Sequence, residues 1–579
     1  MLNEKTVTQL FESLGLLGVD CVFGCDADLL NPALHPTVNN EGIRYFQMKH
    51  EQSAVHAADG FARATGRPGV VLLTSPSGIT NGITGIATAY SDSIPLVIIA
   101  GPLHTGPINN DTMQELDISG ITMPITKETY EISQIKDLDS LLSEALKVAA
   151  FGRPGPVLIA LKASISLNSK KFTLAPIDSN DKINEDIFPK KYSGNRWNNG
   201  SKHRENQITP KNIEKVKDMI ERARKPVIFI GGGIIASDSS EELREVVKHA
   251  RIPVVSSLMG IGAMEANDPL YLGMLGMHGT FAANKAVHHC DLLISIGVRF
   301  SDRVTGKISG FSPKSKKIHI DIDSAEINKI VTVDLPITGD AKQFLKAIKS
   351  ILDYQQIQLN TEIWTNEVIE WKRTVPRFDK SNSILSPQTV IRLLRDSFGK
   401  DTVVITDVGQ HQIWTAHHYA FSKPRTLITS GGLGTMGFGL PAAIGAAAAC
   451  PEQPVICVSG DGSFQMNLQE LMTVVKYQLP IKLAIMNNGY LGMVRQWQEL
   501  FYQGRYSAVK MTSPHFVKLA EAYGVAGLSA QTEDQAKHVI RTAFQTNGPV
   551  LMEFNVIEEE NVYPMVPPNH NNHQAILSR

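Results

Sequence analysis

The sequence predicts an α/β protein of three doubly wound, parallel-sheet domains, and three observations carry that expectation. Apolar runs of strand length recur along the chain and alternate with segments of helical spacing. The alternation stops over 171–207, which is polar and rich in breakers, and again at a second connector over 351–385. Residues 455–490 form one strand–helix–strand unit, which requires parallel strands. The expected division is therefore 1–170, a linker 171–207, 208–350, a linker 351–385, and 386–579.

In the first segment, Val7 to Leu17 is amphipathic, and Cys21–Phe23 and Tyr45–Met48 are short strands. Gly69–Thr74 and Pro95–Ala100 are continuous apolar runs of the kind buried on both faces, and Glu51–Ala64, rich in alanine, reads as a closely packed helix. In the second segment Pro226–Ile230 runs into Gly231, Gly232 and Gly233, followed by Pro253–Val255, Leu292–Ile296 with Gly297 behind it, and Lys317–Ile322. Glycines at strand ends suit a dinucleotide, although a glycine triplet alone equally suits a structural turn. In the third segment, Val455–Ser459 ends in Gly460-Asp461-Gly462-Ser463, and Ile481–Met486 ends in Asn487-Asn488-Gly489-Tyr490. Leu468, Leu471, Met472, Val474 and Val475 between them recur at helical spacing. The terminal stretch Val562–His573 is too rich in proline for helix or strand and is expected to pack along the surface or over a cleft.

Composition narrows the function classes. The chain has 579 residues, 42% hydrophobic and 20% charged, with a net charge of −1, so no global field favours nucleic acid or a membrane surface. No apolar run reaches the roughly 18–20 residues of a membrane span; Ile444–Cys450 is too short. The five cysteines (Cys21, Cys25, Cys290, Cys450, Cys457) show no zinc spacing. Their odd number, with no secretory segment, predicts reduced thiols and a cytoplasmic location.

The unit at 455–490 carries the first chemical signal. Asp461 and Asn488 fall at the carboxyl ends of neighbouring parallel strands, where such sheets bind ligands. One hard cation can take an oxygen from each, and magnesium fills the rest of its shell with phosphate and water. Gly460 and Gly462 let backbone approach a phosphate. A lone Gly-Asp-Gly reads equally as a tight turn; Asn487-Asn488 at the next strand end, with 24 residues between Gly462 and Asn487, shifts the balance toward magnesium and a diphosphate.

That spacing, with Met436 and Glu51 elsewhere, resembles the signature of the thiamine-diphosphate enzymes. Within them the chain is similar over nearly its whole length to the large catalytic subunits of the acetolactate (acetohydroxyacid) synthases. The resemblance is carried by Lys49–Gln52, Ala57–Gly66, Thr84–Tyr90, Gly152–Val157, Leu275–Gly279, Gly297–Gly306, Gly409–Gln412, Thr429–Pro441, Gly492–Trp497 and Asn561–Pro568. It implies a pyrimidine-binding first domain, a flavin-binding middle domain and a diphosphate-binding third domain. It also implies the reaction: decarboxylation of pyruvate and ligation of the remaining two-carbon unit to a second 2-keto acid, pyruvate or 2-ketobutyrate, opening branched-chain amino-acid synthesis.

The resemblance assigns roles residue by residue. Glu51 activates the aminopyrimidine, although a first-turn Glu also suits a solvated helix start. Met436 props the two cofactor rings, and Gln114 helps hold the reacting intermediate. Thr74, Asn81, Val408, Gly409, Gln410, His411, Gly434, Gly460, Gly462, Ser463 and Met493 contact thiamine diphosphate, with His411 donating to phosphate. Magnesium falls to Asp461, Asn488 and the carbonyl of Tyr490. FAD, retained without a net redox step, falls to Gly231, Gly232, Gly233, Gly276, Met277, His278, Gly279, Arg299, Asp321, Ile322, Gly339 and Asp340. Asp302, Arg303 and Trp497 select the substrate: arginine suits a carboxylate, and Trp497 offers apolar area to 2-ketobutyrate. The polar residues around it, Arg495, Gln496, Gln498 and Glu499, predict a mobile segment over the site. The family's Glu reaches cofactor bound by another subunit, so a homodimer or homotetramer is implied, with a small regulatory subunit as a further partner.

Several positions depart from the family pattern. Gly24-Cys25-Asp26-Ala27-Asp28 stands where Tyr-Pro-Gly-Gly is usual, and Pro76-Ser77 where Gly-Pro is usual. Met113 replaces a Phe, His104 a Pro and Ser301 an Asp. A carboxylate at Asp28 repels an anionic keto acid unless it is paired or protonated. Two alternatives therefore stand beside the main reading: a related decarboxylase or carboligase with another acceptor, and a weakly active cofactor-binding subunit.

Overall fold

The apolar runs become the central strands. Gly69–Leu73, Pro226–Ile230 and Leu292–Ile296 are buried at every position, as strands covered on both faces must be. The computed structural model describes residues 4–25, 42–74, 76–103, 116–162, 206–355, 361–373 and 385–578. Within these, three six-stranded sheets form, and every strand pair is parallel.

The first sheet contains β1 (Cys21–Gly24), β2 (Arg44–Gln47), β3 (Gly69–Leu73), β4 (Leu96–Leu103), β5 (Glu128–Ile132) and β6 (Pro156–Lys162), in the order β2-β1-β3-β4-β6-β5. The middle sheet contains β7 (Pro226–Ile230), β8 (Val254–Ser256), β9 (Tyr271–Met274), β10 (Leu292–Ile296), β11 (Lys316–Asp321) and β12 (Leu335–Thr338). Its order is β12-β11-β10-β7-β8-β9. The third contains β13 (Val403–Thr406), β14 (Leu427–Ile428), β15 (Val455–Gly460), β16 (Ile481–Asn487), β17 (Ala526–Ala530) and β18 (Val550–Asn555), in the order β14-β13-β15-β16-β18-β17. The first and third sheets thus share one topology, while the middle sheet has the strand order of dinucleotide-binding folds. In each, the chain direction across the sheet reverses at an interior point: between β1 and β3, between β7 and β10, and between β13 and β15; the first and third sheets also step back at one edge, where β5 lies outside β6 and β17 outside β18.

The first and third domains share a hydrophobic core. At its centre the helix Glu51–Thr65 lies against the helix Gly439–Ala449 with backbones touching. A Cβ on Gly60 would sit 2.1 Å from the Ala442 carbonyl oxygen, and one on Gly445 would sit 1.8 Å from that of Ala57. Only glycine fits at either place. A buried ion network reinforces the junction. Arg63 pairs with Asp59 and with Asp92 and donates to the Thr429 carbonyl at 2.8 Å, while Asp92 accepts the amides of Gly431 and Gly432.

Several expectations change. Residues 351–385 carry a helix, Glu362–Arg373, whose Trp364 is buried and donates from its indole to the Pro226 carbonyl at 3.1 Å. Trp364, Val368 and Trp371 have the spacing of one helical face, which is the signal the connector reading passed over. Of the linker 171–207 only 206–207 are described, and there the Gln207 amide bonds the Thr338 carbonyl at the edge of the middle sheet. The helix between β15 and β16 is broken into a 3₁₀ turn, Leu468–Glu470, and a short α-helix, Leu471–Lys476, with Met472 facing outward. The terminal stretch runs across the middle domain as expected: the Val566 amide bonds the Met277 carbonyl, and the Asn572 side chain bonds the Val304 carbonyl. It also contains a 3₁₀ turn, Asn572–Gln574.

Gly445→Val forces the two central helices apart. It is expected to lower the stability of the cofactor-free protein by about 3 kcal/mol or more, because neither backbone can yield. Urea unfolding followed by circular dichroism checks this, and an unchanged midpoint would contradict the close approach.

Candidate active site

The chemistry-bearing loops gather at the three points where sheet direction reverses, which is where open parallel sheets bind ligands. In the third domain these are the loops after β13 and β15. Asp461 opens a short helical turn, Asp461–Phe464, directly after β15 and is buried. Its carboxylate accepts the Ser513 hydroxyl at 2.9 Å and a bond from the Gly489 amide. Burial raises its pKa, so an unpaired charge here calls for a cation. Asn488 follows β16 on the neighbouring strand, and its side-chain oxygen accepts the Tyr490 amide at 3.1 Å, closing a tight turn. The structure therefore brings Asp461, Asn488 and Tyr490 together. Among the described residues no cluster of three or more His, Cys, Asp or Glu could enclose a metal. This donor set, with one charge, an amide and a backbone carbonyl, is the kind that magnesium completes with phosphate and water.

The loop after β13 is organised by a residue the sequence reading missed. The Asp407 carboxylate is buried and accepts the amides of Val408 at 2.8 Å, Gly437 at 2.9 Å and Gly439 at 3.0 Å. One side chain thus ties the Val408–His411 loop to the turn Gly434–Gly437 that carries Met436. Burial lifts Asp407 to about 6 against the pull of those amides. An acid immediately after a strand and before Gly409 was the available signal. Ser463 joins the same loop through a 3.0 Å bond to the Val408 carbonyl.

Two buried polar atoms in this loop have no protein partner, His411 Nε2 and Gln410 Oε1. Burial lowers the His411 imidazole to about 3. Its ring edge lies where a Cβ on Gly409 or Gly460 would sit, 3.0 Å away in each case. An imidazole walled in by glycines, with one nitrogen unused, fits a bound anion such as a diphosphate. Met493 lies in the first turn of the helix Gly492–Phe501, beside the same loops.

In the first domain, Glu51 begins its helix, and His50 caps it by accepting the Gln52 amide at 3.2 Å. Glu51 accepts the Asn81 side-chain amide at 3.0 Å, and a Cβ on Gly78 would lie 3.0 Å from its carboxylate. Thr74 sits at the end of β3, at the reversal point of this sheet. Among the described residues Glu51 makes no hydrogen bond to the loops bearing Asp461 or Met436. Gln114, His104 and Met113, Ser75, and Asp26 to Asp28 lie outside the described residues.

The middle domain gathers its expected residues at the carboxyl ends of β7, β9, β10, β11 and β12. Gly231 follows β7, and the Gly233 amide bonds the Gly297 carbonyl across the reversal point at 3.0 Å, with Gly232 between. The turn Gly276–Gly279 is fixed by Asn284, which accepts the Gly276 amide, and by the Arg303 carbonyl, which accepts that of Met277. His278 Nδ1 is buried without a partner, and burial lowers this imidazole to about 4. Asp321 ends β11, with its carboxyl pushed up to about 7 by burial; Ile322 follows it, exposed. The Gly339 amide bonds the Asp321 carbonyl, and Asp340 accepts the Gln343 amide at the start of the next helix. Arg299 is anchored to the first domain through the Ser91 carbonyl at 2.6 Å. A crevice of glycines with an imidazole nitrogen left unused and a buried acid that accepts the Asp323 amide at 2.8 Å fits a dinucleotide.

Arg303 and Trp497 come from different domains and meet. The guanidinium carbon lies 5.9 Å from the centre of the indole ring, a cation–π contact. The same guanidinium donates to the Met277 sulfur, and Asp302 accepts the Arg303 amide. Arg303 is exposed, so its charge is open to a ligand. The expected mobility around Trp497 is not found. Arg495 and Gln496 are fully buried, bonded to Glu499, Asn561, the Glu560 and Val562 carbonyls and Gln410. Polar side chains here bind the terminal stretch to the site instead of loosening the segment.

Comparison with known proteins follows these divisions. Residues 4–121 match the N-terminal TPP binding domain of the thiamine pyrophosphate enzymes, 213–348 their central domain and 407–554 their C-terminal TPP binding domain. The chain is 41% identical to the acetolactate synthase large subunit of Haemophilus influenzae over 98% of this chain and 97% of that protein. It is 41% identical to the acetolactate synthase isozyme 2 large subunit of Escherichia coli, over 96% and 97%. It is 42% identical to a probable acetolactate synthase large subunit of Methanocaldococcus jannaschii, over 97% and 94%.

Asp407→Ala leaves three buried amides without an acceptor. It is expected to cost about 3 kcal/mol and to raise amide exchange at Gly437 and Gly439 at least about tenfold in the cofactor-free protein. Hydrogen-exchange mass spectrometry over 434–440 reads this, and unchanged protection there would refute the role given to the carboxylate.

Proposed function

Since the chain belongs to the acetolactate synthase large subunits of the thiamine pyrophosphate enzymes, we propose that it condenses two 2-keto acids. Pyruvate loses carbon dioxide, and its remaining two-carbon unit forms a carbon–carbon bond to the keto carbon of a second molecule. Pyruvate as acceptor gives 2-acetolactate and 2-ketobutyrate gives 2-aceto-2-hydroxybutyrate, the branch entering valine, leucine and isoleucine synthesis. The observation that carries this reading is the convergence of Asp461, Asn488 and the unpartnered His411 at one reversal point, in a chain whose full-length relatives bear that activity in their names.

Bound thiamine diphosphate supplies the nucleophilic carbon and the electron sink that decarboxylation needs. The chain's own residues do the rest. Asp461, Asn488 and the Tyr490 carbonyl hold magnesium. His411, Gln410, Gly409, Val408, Gly434, Gly460, Gly462, Ser463 and Met493 hold the diphosphate, and Thr74 and Asn81 border the pyrimidine. Met436 props the rings. Glu51 exchanges a proton with the pyrimidine nitrogen; its Asn81 bond and the space left by Gly78 keep the carboxylate aimed. Arg303 pairs the substrate carboxylate, Asp302 orients the arginine turn, Trp497 meets the acceptor's alkyl group, and Gln114 bonds the reacting carbonyl.

FAD belongs to the middle-domain crevice at Gly231–Gly233, Gly276–Gly279, Arg299, Asp321, Ile322, Gly339 and Asp340. The net reaction moves no electrons to an acceptor, so flavin there is a structural element. In this reading Glu51 serves cofactor held by a second copy, in a homodimer or homotetramer. The relatives are named as large subunits, which supports a small regulatory partner. The compartment in this reading is the cytoplasm. Among the described residues no helix is long and apolar enough to cross a membrane.

A different acceptor is the second reading. Cys25 directly follows β1 and Pro76 opens the helix after β3, both at the first sheet's reversal point, so the altered residues would border the reacting centre.

Purified protein with thiamine diphosphate, magnesium and FAD is expected to convert pyruvate to 2-acetolactate and carbon dioxide, read by product chromatography. A different product would overturn the substrate assignment. Glu51→Gln is expected to lower kcat at least about 100-fold. Trp497→Leu is expected to reduce the preference for 2-ketobutyrate over pyruvate about tenfold, the scale of one methylene contact; an unchanged product ratio in mixed-substrate assays would remove Trp497 from acceptor choice.

A further inference from the structure

A second acid lies at the start of the Glu51 helix, and it comes from the other domain. Glu470 sits between the Asp461 turn and β16, in the third domain, with no exposed surface. Its carboxylate accepts the Lys49 amide at 3.0 and 3.3 Å and the Thr473 hydroxyl at 2.7 Å. The His50 amide and the Ser53 side chain also bond to it. An ionised group in such a place is costly unless several donors surround it, and here backbone amides provide them. Helix N-termini leave amides unpaired and carry positive dipole charge. Glu470 therefore lies where an anion is best held, and it grips the two residues that precede Glu51.

The neighbouring side chain extends the connection. Asn467 accepts the Ser53 hydroxyl at 3.1 Å and donates to the Gly437 carbonyl at 2.7 Å. Gly437 follows Met436. The strip Asn467–Glu470 thus touches the Glu51 helix on one side and the Met436 turn on the other.

We propose that Glu470 is a positioning residue for Glu51: by holding the Lys49 and His50 amides it sets the angle at which the first helical turn presents the Glu51 carboxylate. This rests on the reading of Glu51 as the group that activates the cofactor. Burial pushes the Glu470 carboxyl up and the surrounding donors pull it down. The strip belongs to the same unit as Asp461 and Asn488. If Glu51 serves the cofactor of a second copy, Glu470 joins one copy's metal-binding segment to the activating acid of the other site.

The test compares E470Q, E470D, E51Q and V474A. The E470Q side chain keeps the shape of the glutamate but turns an NH2 donor toward the surrounding donors. E470Q is expected to lower kcat for pyruvate at least about tenfold with KM changed less than about threefold, because Glu51 acts on the cofactor and not on substrate binding. In the cofactor-free protein, amide exchange at residues 49–51 is expected to rise at least about tenfold. E470D retains the charge and recovers part of both, and it serves where E470Q does not fold. V474A, buried in the same segment and with no group to hydrogen-bond the Lys49 or His50 amides, lowers stability but leaves kcat unchanged. Unchanged kcat in E470Q, a fall in kcat without faster exchange at 49–51, or an equal fall in V474A overturns the proposal. An active E51Q instead overturns the reading of Glu51, while the amide exchange still reports on the Glu470 contact.

Discussion

The backbone contact between the helices Glu51–Thr65 and Gly439–Ala449 governs the architecture. With Gly60 against Ala442 and Gly445 against Ala57, these helices approach as closely as two backbones can. Side-chain packing can adjust by rotamer changes, whereas a backbone contact leaves no such freedom. The first and third domains are consequently one body around one core. Both ends of that contact lead to the site. Glu51 begins one helix, and the turn bearing Met436 leads into the other. The buried Arg63, Asp59 and Asp92 network then holds the Gly431–Gly432 backbone, so the loop ahead of Met436 is fixed by the first domain as well as by Asp407.

What the sequence made legible follows from how many neighbours an element has. Central strands such as Leu292–Ile296 are covered on both faces and flanked on both sides, so their sequence is apolar throughout. Edge strands carry a weaker signal. Of the strands not anticipated, Glu128–Ile132, Tyr271–Met274, Leu335–Thr338, Leu427–Ile428 and Ala526–Ala530 lie at sheet edges, whereas Pro156–Lys162 and Val550–Asn555 are the interior strands beside two of them. Glu128–Ile132 and Ala526–Ala530 bury only their last residue fully, so their composition resembles that of a loop. The metal-end residues were legible because their spacing is set by a single crossover. Asp407, Asp92 and Glu470 were not. Each is an acid whose function is to accept backbone amides from a distant segment, and sequence gives no hint of which amides those are. Arg495 and Gln496 misled for the same reason, since polarity does not distinguish a solvated side chain from a buried one whose partners are supplied by the fold.

The middle domain differs from the other two in strand order, and that difference has a chemical counterpart. Its reversal point lies between β7 and β10, where Gly231 to Gly233 pack directly on Gly297. This leaves a glycine-walled crevice with few side chains to act on a substrate. Its link to the proposed substrate site is instead the loop after β10, which carries Arg303 out to Trp497 of the third domain. The Gly276–Gly279 turn touches both functions: Met277 contacts the Arg303 side chain, and the terminal stretch bonds its carbonyl. A flavin seated in this crevice would therefore stiffen the Arg303 turn from behind, which gives a dinucleotide with no electrons to transfer a physical effect on the substrate side.

Apart from Ser301 in the middle domain, the departures from the family pattern lie in the first domain, which in the proposed reading contributes an acid but no diphosphate contact. In the proposed reading Asp461, Asn488 and His411 tolerate little change, because each would meet the metal or the diphosphate at a fixed distance. The first domain's reversal point, with Cys25 directly after β1 and Pro76 after β3, would in the same reading face the substrate. Proline at the first helical turn removes an amide that would otherwise need a partner. Substituting there changes what the wall offers a substrate without unseating Gly78 or Asn81, which lie further along the same helix and still bracket Glu51. The altered start of this helix is thereby separated from the residues that hold Glu51, so this wall can change while the Glu51 carboxylate keeps its geometry.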